Sequence, residues 1–307
     1  MPNRWWTYQA ERFPLHAHGP LIAAFSFCAV SYSSASRGEG APHYASVGVA
    51  FVTSLIFFLQ LRIADEFKDA HEDAQHRPYR PVPRGLVSLR ALGVVFAIGA
   101  VVQLGLALWL DPRLTPLLLV TWAYLALMSK EFFVGGWLKH KPVLYLVSHM
   151  AIMPLVDLYA TGCDWRVRGD GPPSGLGWFL MASYFNGIVI EIGRKMRSPA
   201  DEEAGVSTYS ALWGRPRAIA VWGSAVALTL VCAMLAASRF GPVVFAVVTG
   251  VLGCTAAMLW AVGRAFARSD KSGAGKRIET ASGFWTLALY LSLGLVPLAL
   301  HAGAGQP

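Results

Sequence analysis

The residues with the most evident chemistry lie in one run, RIADEFKDAHEDAQHRPYRPVPRG, from Arg62 to Gly85. It carries the acids Asp65, Glu66, Asp69, Glu72 and Asp73. Asp65, Asp69 and Asp73 recur every four positions, and Glu66, Asp69 and Asp73 share a narrower arc. On a helix either set points several carboxylates in one direction. Carboxylates held so close repel, and partial burial sharpens the repulsion. A hard divalent cation, Mg2+ above all, removes that cost and still leaves positions for water and phosphate. Arg77, Arg80 and Arg84 follow, each with a guanidinium fork suited to phosphate oxygens. A metal ion with a diphosphate is one account of this run; a solvated helix end laced with ion pairs is the plainer one.

A second charged run, NGIVIEIGRKMRSPADEEAGVSTYSALWG, extends from Asn186 to Gly214. Asn186 and Glu191 sit in or beside an apolar stretch, where an unpaired carboxylate is expensive. Glu191 and Lys195 are spaced i,i+4, so a helix-end ion pair is the simple reading. Asp201, Glu202 and Glu203 follow Pro199 in a loop or short helix, as ligands of a second metal or as caps. Elsewhere Lys141, Tyr145 and His149 recur every four residues along one helix face. Tyr145 suits a cation and His149 a base, and packing accounts for each equally well. Asp157, two turns further on, reads as a structural polar partner.

The elements that must position these groups are membrane spans. Hydrophobic residues make up 55% of the 307 and charged residues 14%, against about 25% charged in soluble domains. Nine windows approach the length needed to cross about 30 Å of hydrocarbon: 18–36, 45–66, 86–109, 113–131, 141–160, 174–193, 216–237, 240–264 and 280–301. The fourth is the weakest, because Pro112 and Pro116 open a short apolar run. With the N-terminus inside, 21 of the 26 Lys and Arg fall on the cytoplasmic side, an asymmetry that demands an odd number of spans and an outside C-terminus. The net charge of +8 is therefore a property of one membrane face, and nucleic acid is not an expected partner. Four scattered cysteines show no CxxC spacing and suggest neither zinc nor a disulfide framework. No cleaved signal peptide is expected. The expected architecture is all-α: one transmembrane domain over 1–307, with cytoplasmic caps around 66–85 and 191–215, in a bacterial inner membrane.

Asp65 to Asp73 reads DExxDxxxD, and Arg77 to Gly85 reads RPYRPVPRG. With nine windows and a second charged run after the sixth, the chain resembles the UbiA superfamily of intramembrane prenyltransferases. That family carries NDxxDxxxD after its second helix and a second aspartate-rich motif after its sixth. The resemblance implies Mg2+ held by Asp69 and Asp73, with Asp65 or Glu66 assisting, and by Glu191 with Asp201 or Glu202. It implies Arg77, Arg84, Lys130, Arg194 and Lys195 as phosphate contacts. Asn186, Lys141 and His149 are then substrate-facing positions, and Tyr145 joins Asp69, Asp73 and Glu191 as a catalytic position. The partners implied are a prenyl diphosphate donor, a lipophilic acceptor and bilayer lipids. One departure stands out: four residues after Glu191, where the family commonly has aspartate, this chain has Lys195. An intramembrane terpene cyclase uses the same ionisation step with no acceptor, and a transporter or non-catalytic membrane protein is the rival from another class.

Overall fold

In the computed structural model, residues 3–203 and 205–304 are described, and Ala204, in the second charged connection, lies outside them. The elements in chain order are α1 (Arg4–Arg12), α2 (Leu15–Ser36), α3 (Tyr44–Lys68), α4 (Ala70–His76), α5 (Leu89–Leu110), α6 (Thr115–Ser129), α7 (Gly135–Lys139), α8 (Pro142–Met150), α9 (Ile152–Trp165), α10 (Leu176–Arg194), α11 (Tyr209–Trp213), α12 (Arg215–Ala237), α13 (Pro242–Ala267) and α14 (Ala274–Ala304). All regular structure among the described residues is helical.

Seven helical segments are long and apolar enough to cross a membrane, and α1 with α2, bent by 59°, makes an eighth as a broken span. The expectation of nine windows is thus met only in part. The shortfall falls on 113–131, where α6 has 15 residues, roughly 22 Å at the helical rise. Prolines set its start, a 3-10 turn over Pro112–Leu114, and a left-handed turn sets its end. Glu131, Phe132 and Phe133 all have positive φ, a conformation costly for residues with a Cβ.

Proline also explains the division between α8 and α9. Pro154 has no N–H for the carbonyl of Met150, and the chain breaks at Ala151. The α1–α2 bend falls at Pro14 for the same reason. By contrast α3 runs 25 residues without interruption, roughly 37 Å, which exceeds about 30 Å of hydrocarbon. Its surplus length carries Arg62 to Lys68 out to the membrane surface.

Large apolar side chains such as Val101, Trp109, Val243 and Trp260 are exposed, forming the outward face expected of a protein solvated by lipid. Inside, Trp222, Trp285, Tyr159 and Tyr290 are fully buried. Without a hydrophobic drive between helices in lipid, close approach and buried polar contacts hold such bundles together. A Cβ at Gly294 of α14 would stand 2.6 Å from Cys28 Cα, so only glycine lets α14 and α2 come so near. Between α9, α10 and α14, Tyr290 Oη donates to Asp157 Oδ2 at 2.7 Å and lies at hydrogen-bond distance, 3.2 Å, from Ser183 Oγ, and Thr286 Oγ1 donates to Asn186 Oδ1 at 3.1 Å. Asp157 is therefore a buried partner of a tyrosine.

Candidate active site

The end of α3 and the end of α10 lie at the same end of the bundle. Asp65 is within electrostatic reach of Arg194, and His149 is within reach of Lys68, Glu191 and Asp65. Between the two ends stands α8, with Tyr145 and His149 stacked, ring centroids 3.8 Å apart. The Lys68 ammonium donates to the Tyr145 hydroxyl and lies 5.2 Å from its ring centroid.

The acids of the first run have three different fates. Glu66 is buried and accepts from Arg12 at 2.5 Å and from Arg62 at 3.4 Å, so the N-terminal helix is tied to α3 through it. Asp73 is buried and clasped from the following loop, by Arg80 at 2.6 Å and Arg77 at 3.0 Å. Asp65 and Asp69 are held loosely or not at all. Asp65 lies 3.8 Å from Arg62 and 4.0 Å from Lys68. Asp69 has no ion pair within 4 Å among the described residues, and burial, aided by Asp65, Asp73 and Glu72, pushes its carboxyl up against the pull of Lys68.

On the second side Glu191 is buried with both oxygens taken, one by Arg194 at 2.6 Å and the other by Lys195 at 2.8 Å. Asp201 accepts from Ser198 Oγ at 2.6 Å, Ser272 Oγ at 2.5 Å and the Gly273 amide at 2.8 Å, clasping its loop to the α13–α14 connection. These three donors hold its carboxyl below the ordinary range. Glu202 accepts from Thr208, which caps α11.

Other expected positions lie further out or deeper in. Lys130 is exposed. Lys141 is exposed too and faces the Trp137 ring at 5.5 Å. Arg84 donates to the Tyr79 carbonyl at 2.9 Å and to Glu11 at 2.8 Å, a second tie to α1. Asn186 is inside the bundle, more than a turn deeper than Glu191. Among the described residues no three His, Cys, Asp or Glu stand close enough to form a metal group. Mg2+ is content with one or two carboxylates when water and phosphate complete its shell. The donor chemistry of Asp65 and Asp69 suits one divalent ion, whereas Glu191, the buried carboxylate at the end of α10, already has both oxygens paired.

The model of the UbiA prenyltransferase family matches residues 24–288. The chain belongs to the UbiA prenyltransferase family. A search of curated proteins finds no match. Among solved structures, a UbiA homolog from Aeropyrum pernix K1 has 15% identity over 92% of this chain and 98% of that one, at a TM-score of 0.65. The structure of a digeranylgeranylglyceryl phosphate synthase has 13% identity, 96% and 99% coverage, and a TM-score of 0.60. A UbiA homolog from Archaeoglobus fulgidus, solved with DMAPP and Mg2+, has 13% identity, 93% and 99% coverage, and a TM-score of 0.60. At these identities the likeness is one of fold.

Within this UbiA fold the structure draws attention to residues that sequence reading leaves aside. Lys68 stands at the centre of the site, and Tyr209 is buried with its ring 5.9 Å from the Lys195 ammonium. Arg12 neutralises Glu66, and Arg80, read from the sequence as suited to phosphate, clasps Asp73. The available signal was charge parity: the five acids of the first run are matched by five Lys and Arg, Arg62, Lys68, Arg77, Arg80 and Arg84.

The Arg12–Glu66 pair makes a testable point about stability. Arg12→Ala leaves a buried carboxylate with Arg62 alone, and losing one partner of a buried pair costs up to about 3 kcal/mol. The expected outcome is a lower midpoint of thermal unfolding in detergent, restored in part by pairing it with Glu66→Gln; an unchanged midpoint contradicts the clasp.

Proposed function

We propose that this chain is a Mg2+-dependent intramembrane prenyltransferase, moving a prenyl group from its diphosphate to an aromatic or other lipophilic acceptor and releasing diphosphate. One observation carries the reading: Asp69, a partly buried acid with no ion pair among the described residues, lies within reach of Asp65, which in turn is within reach of Arg194 at the end of α10. Such an arrangement lacks the charge that a metal with a diphosphate supplies. Asp65 and Asp69 are the residues to hold the ion; Glu66, Asp73, Glu191, Asp201 and Glu202 then act as the clasps that shape both ends.

When bound, Mg2+ neutralises charge growing on the departing diphosphate. Lys68, Arg194 and Lys195 add fixed positive charge on the same side, where preorganised donors are worth most. The allylic carbon–oxygen bond breaks with its electron pair going to diphosphate, and an acceptor nucleophile takes the carbocation. His149 is set to remove the acceptor's proton. Its Nδ1 lies 2.8 Å from the Tyr145 carbonyl, which can only accept, so the ring proton sits on Nδ1. Nε2 is then a lone pair, buried and without a partner among the described residues. Tyr145 holds the ring in place by stacking and is held in turn by Lys68.

The membrane setting follows from the same reading. We take α6 as the fourth of nine crossings. Arg113 at its outer end donates to the Val167 carbonyl at 3.0 Å. Toward its other end Tyr124 donates to the Ser148 carbonyl at 2.6 Å. The basic majority supports a cytoplasmic position for the ends of α3 and α10. A charged head enters there, and an isoprenoid tail lies among helices already solvated by lipid.

The test is product analysis with purified protein in liposomes, given Mg2+, prenyl diphosphates of several lengths, and candidate acceptors. The expected result is an intact donor until an acceptor is added, then one prenylated product per diphosphate. Cyclic hydrocarbon or alcohol from donor alone would move the assignment to a cyclase. No diphosphate release with any combination would reject both.

A further inference from the structure

The α10 side of the site offers cations rather than ligands. Glu191 is saturated, one oxygen by Arg194 and one by Lys195. The carboxylate side chain is only 8% exposed, whereas those of Arg194 and Lys195 are 41% and 39% exposed. The acid thus faces inward as an anchor while its two cations reach open space. The trio carries a net positive charge, and Asp65 lies within electrostatic reach of Arg194. Tyr209 backs the lysine, its ring 5.9 Å from the ammonium, and its amide donates to the Lys195 carbonyl at 3.1 Å. Of the other acids of this connection, Asp201 and Glu202 accept from Ser198, Ser272, Gly273 and Thr208, and Glu203 is exposed and accepts from the Tyr79 hydroxyl at 3.4 Å. A divalent ion here would have to displace Arg194 or Lys195 from Glu191, giving up a charge-assisted hydrogen bond and meeting the positive charge of both cations.

We propose that this chain holds a diphosphate group with one divalent cation, at Asp65 and Asp69, and with the fixed cations Arg194 and Lys195, anchored on Glu191, where a second metal would otherwise sit. The inference rests on the prenyl-diphosphate reading and specifies how that group is held. It has a consequence that a two-metal site lacks. Part of the diphosphate affinity survives without any metal, because ammonium and guanidinium contacts need none.

The experiment measures binding of labelled inorganic pyrophosphate to the purified full chain in nanodiscs with excess EDTA, and counts Mn2+ retained per bound pyrophosphate when EDTA is replaced by Mn2+. Wild type should bind pyrophosphate in EDTA. Lys195→Gln should weaken that binding at least tenfold, Lys195→Arg should keep most of it, and one Mn2+ should be retained per pyrophosphate. Binding in EDTA that is absent from wild type, or equal in Lys195→Gln, or two Mn2+ per pyrophosphate, would overturn the proposal. Unfolding midpoints of the two variants show whether a loss belongs to the fold, and the charge-keeping arginine separates charge from shape. Turnover of prenyl diphosphate by wild type in Mg2+ is scored separately. If turnover occurs while metal-free binding fails, only this inference falls; if no donor turns over, the reading beneath it falls too.

Discussion

Asp69→Asn lowers magnesium-dependent diphosphate release by about 100- to 1,000-fold, the range typical for losing one preorganised electrostatic contact at a reacting centre, and leaves the unfolding midpoint unchanged or slightly raised. Asp69 has no ion pair to lose among the described residues, and its burial beside Asp65, Asp73 and Glu72 penalises its charge. Asparagine keeps the size, removes the repulsion and removes the charge that a divalent ion needs. Asp73 is the contrasting control. It is clasped by Arg77 and Arg80, so Asp73→Asn leaves two guanidinium groups without their counter-ion and lowers the midpoint as well as the rate. Assays of both variants in liposomes, with midpoints in detergent, separate the two roles. Equal midpoint losses would mean that Asp69 is structural after all.

Lys68→Met lowers kcat/KM for the prenyl diphosphate by about 100-fold or more, with Lys68→Arg recovering part of it. Lys68 is next to Asp69 in sequence and 4.0 Å from Asp65, and it also locks the Tyr145 hydroxyl. Methionine keeps the length of the stem and removes the charge, so packing against α8 survives. Both kcat and KM should suffer, since the ammonium meets the diphosphate in the bound donor and more strongly as charge builds on it. A variant with wild-type kcat/KM would reduce Lys68 to a tether for Tyr145.

Much of this arrangement is legible in the sequence because it depends on local periodicity. The apolar windows mark α2, α3, α5, α10, α12, α13 and α14 to within a few residues, since a span must satisfy its backbone internally and shield it with apolar side chains. The charge asymmetry places the ends of α3 and α10 on one side, and the structure brings them together. Helix breaks are harder to foresee. Pro154 splits the fifth window, and the left-handed turn at Glu131–Phe133, which has no glycine, cuts the fourth short. The allocation of acids is harder still. Asp69 and Asp73, with Asp65 or Glu66, share a helical spacing and read as one ligand set; in the fold Glu66 pairs with Arg12, 54 positions away, and Asp73 with Arg77 and Arg80 in a folded-back loop. Spacing reports which side chains share a face of one helix; it does not report which cations other segments will bring to them. Lys195 is the reverse case, where a single residue foretells the tertiary outcome because its partner Glu191 is one turn away on the same helix.

Cleavage of a prenyl diphosphate at the facing ends of α3 and α10 is the proposed reaction. Its most direct test is diphosphate released by wild type and Asp69→Asn, side by side in liposomes, across donor lengths, acceptors and Mg2+ concentrations. Release by wild type with at least one donor and acceptor, lost in Asp69→Asn and without Mg2+, is the predicted result. Equal release by both proteins, or none by wild type under any condition, would contradict it.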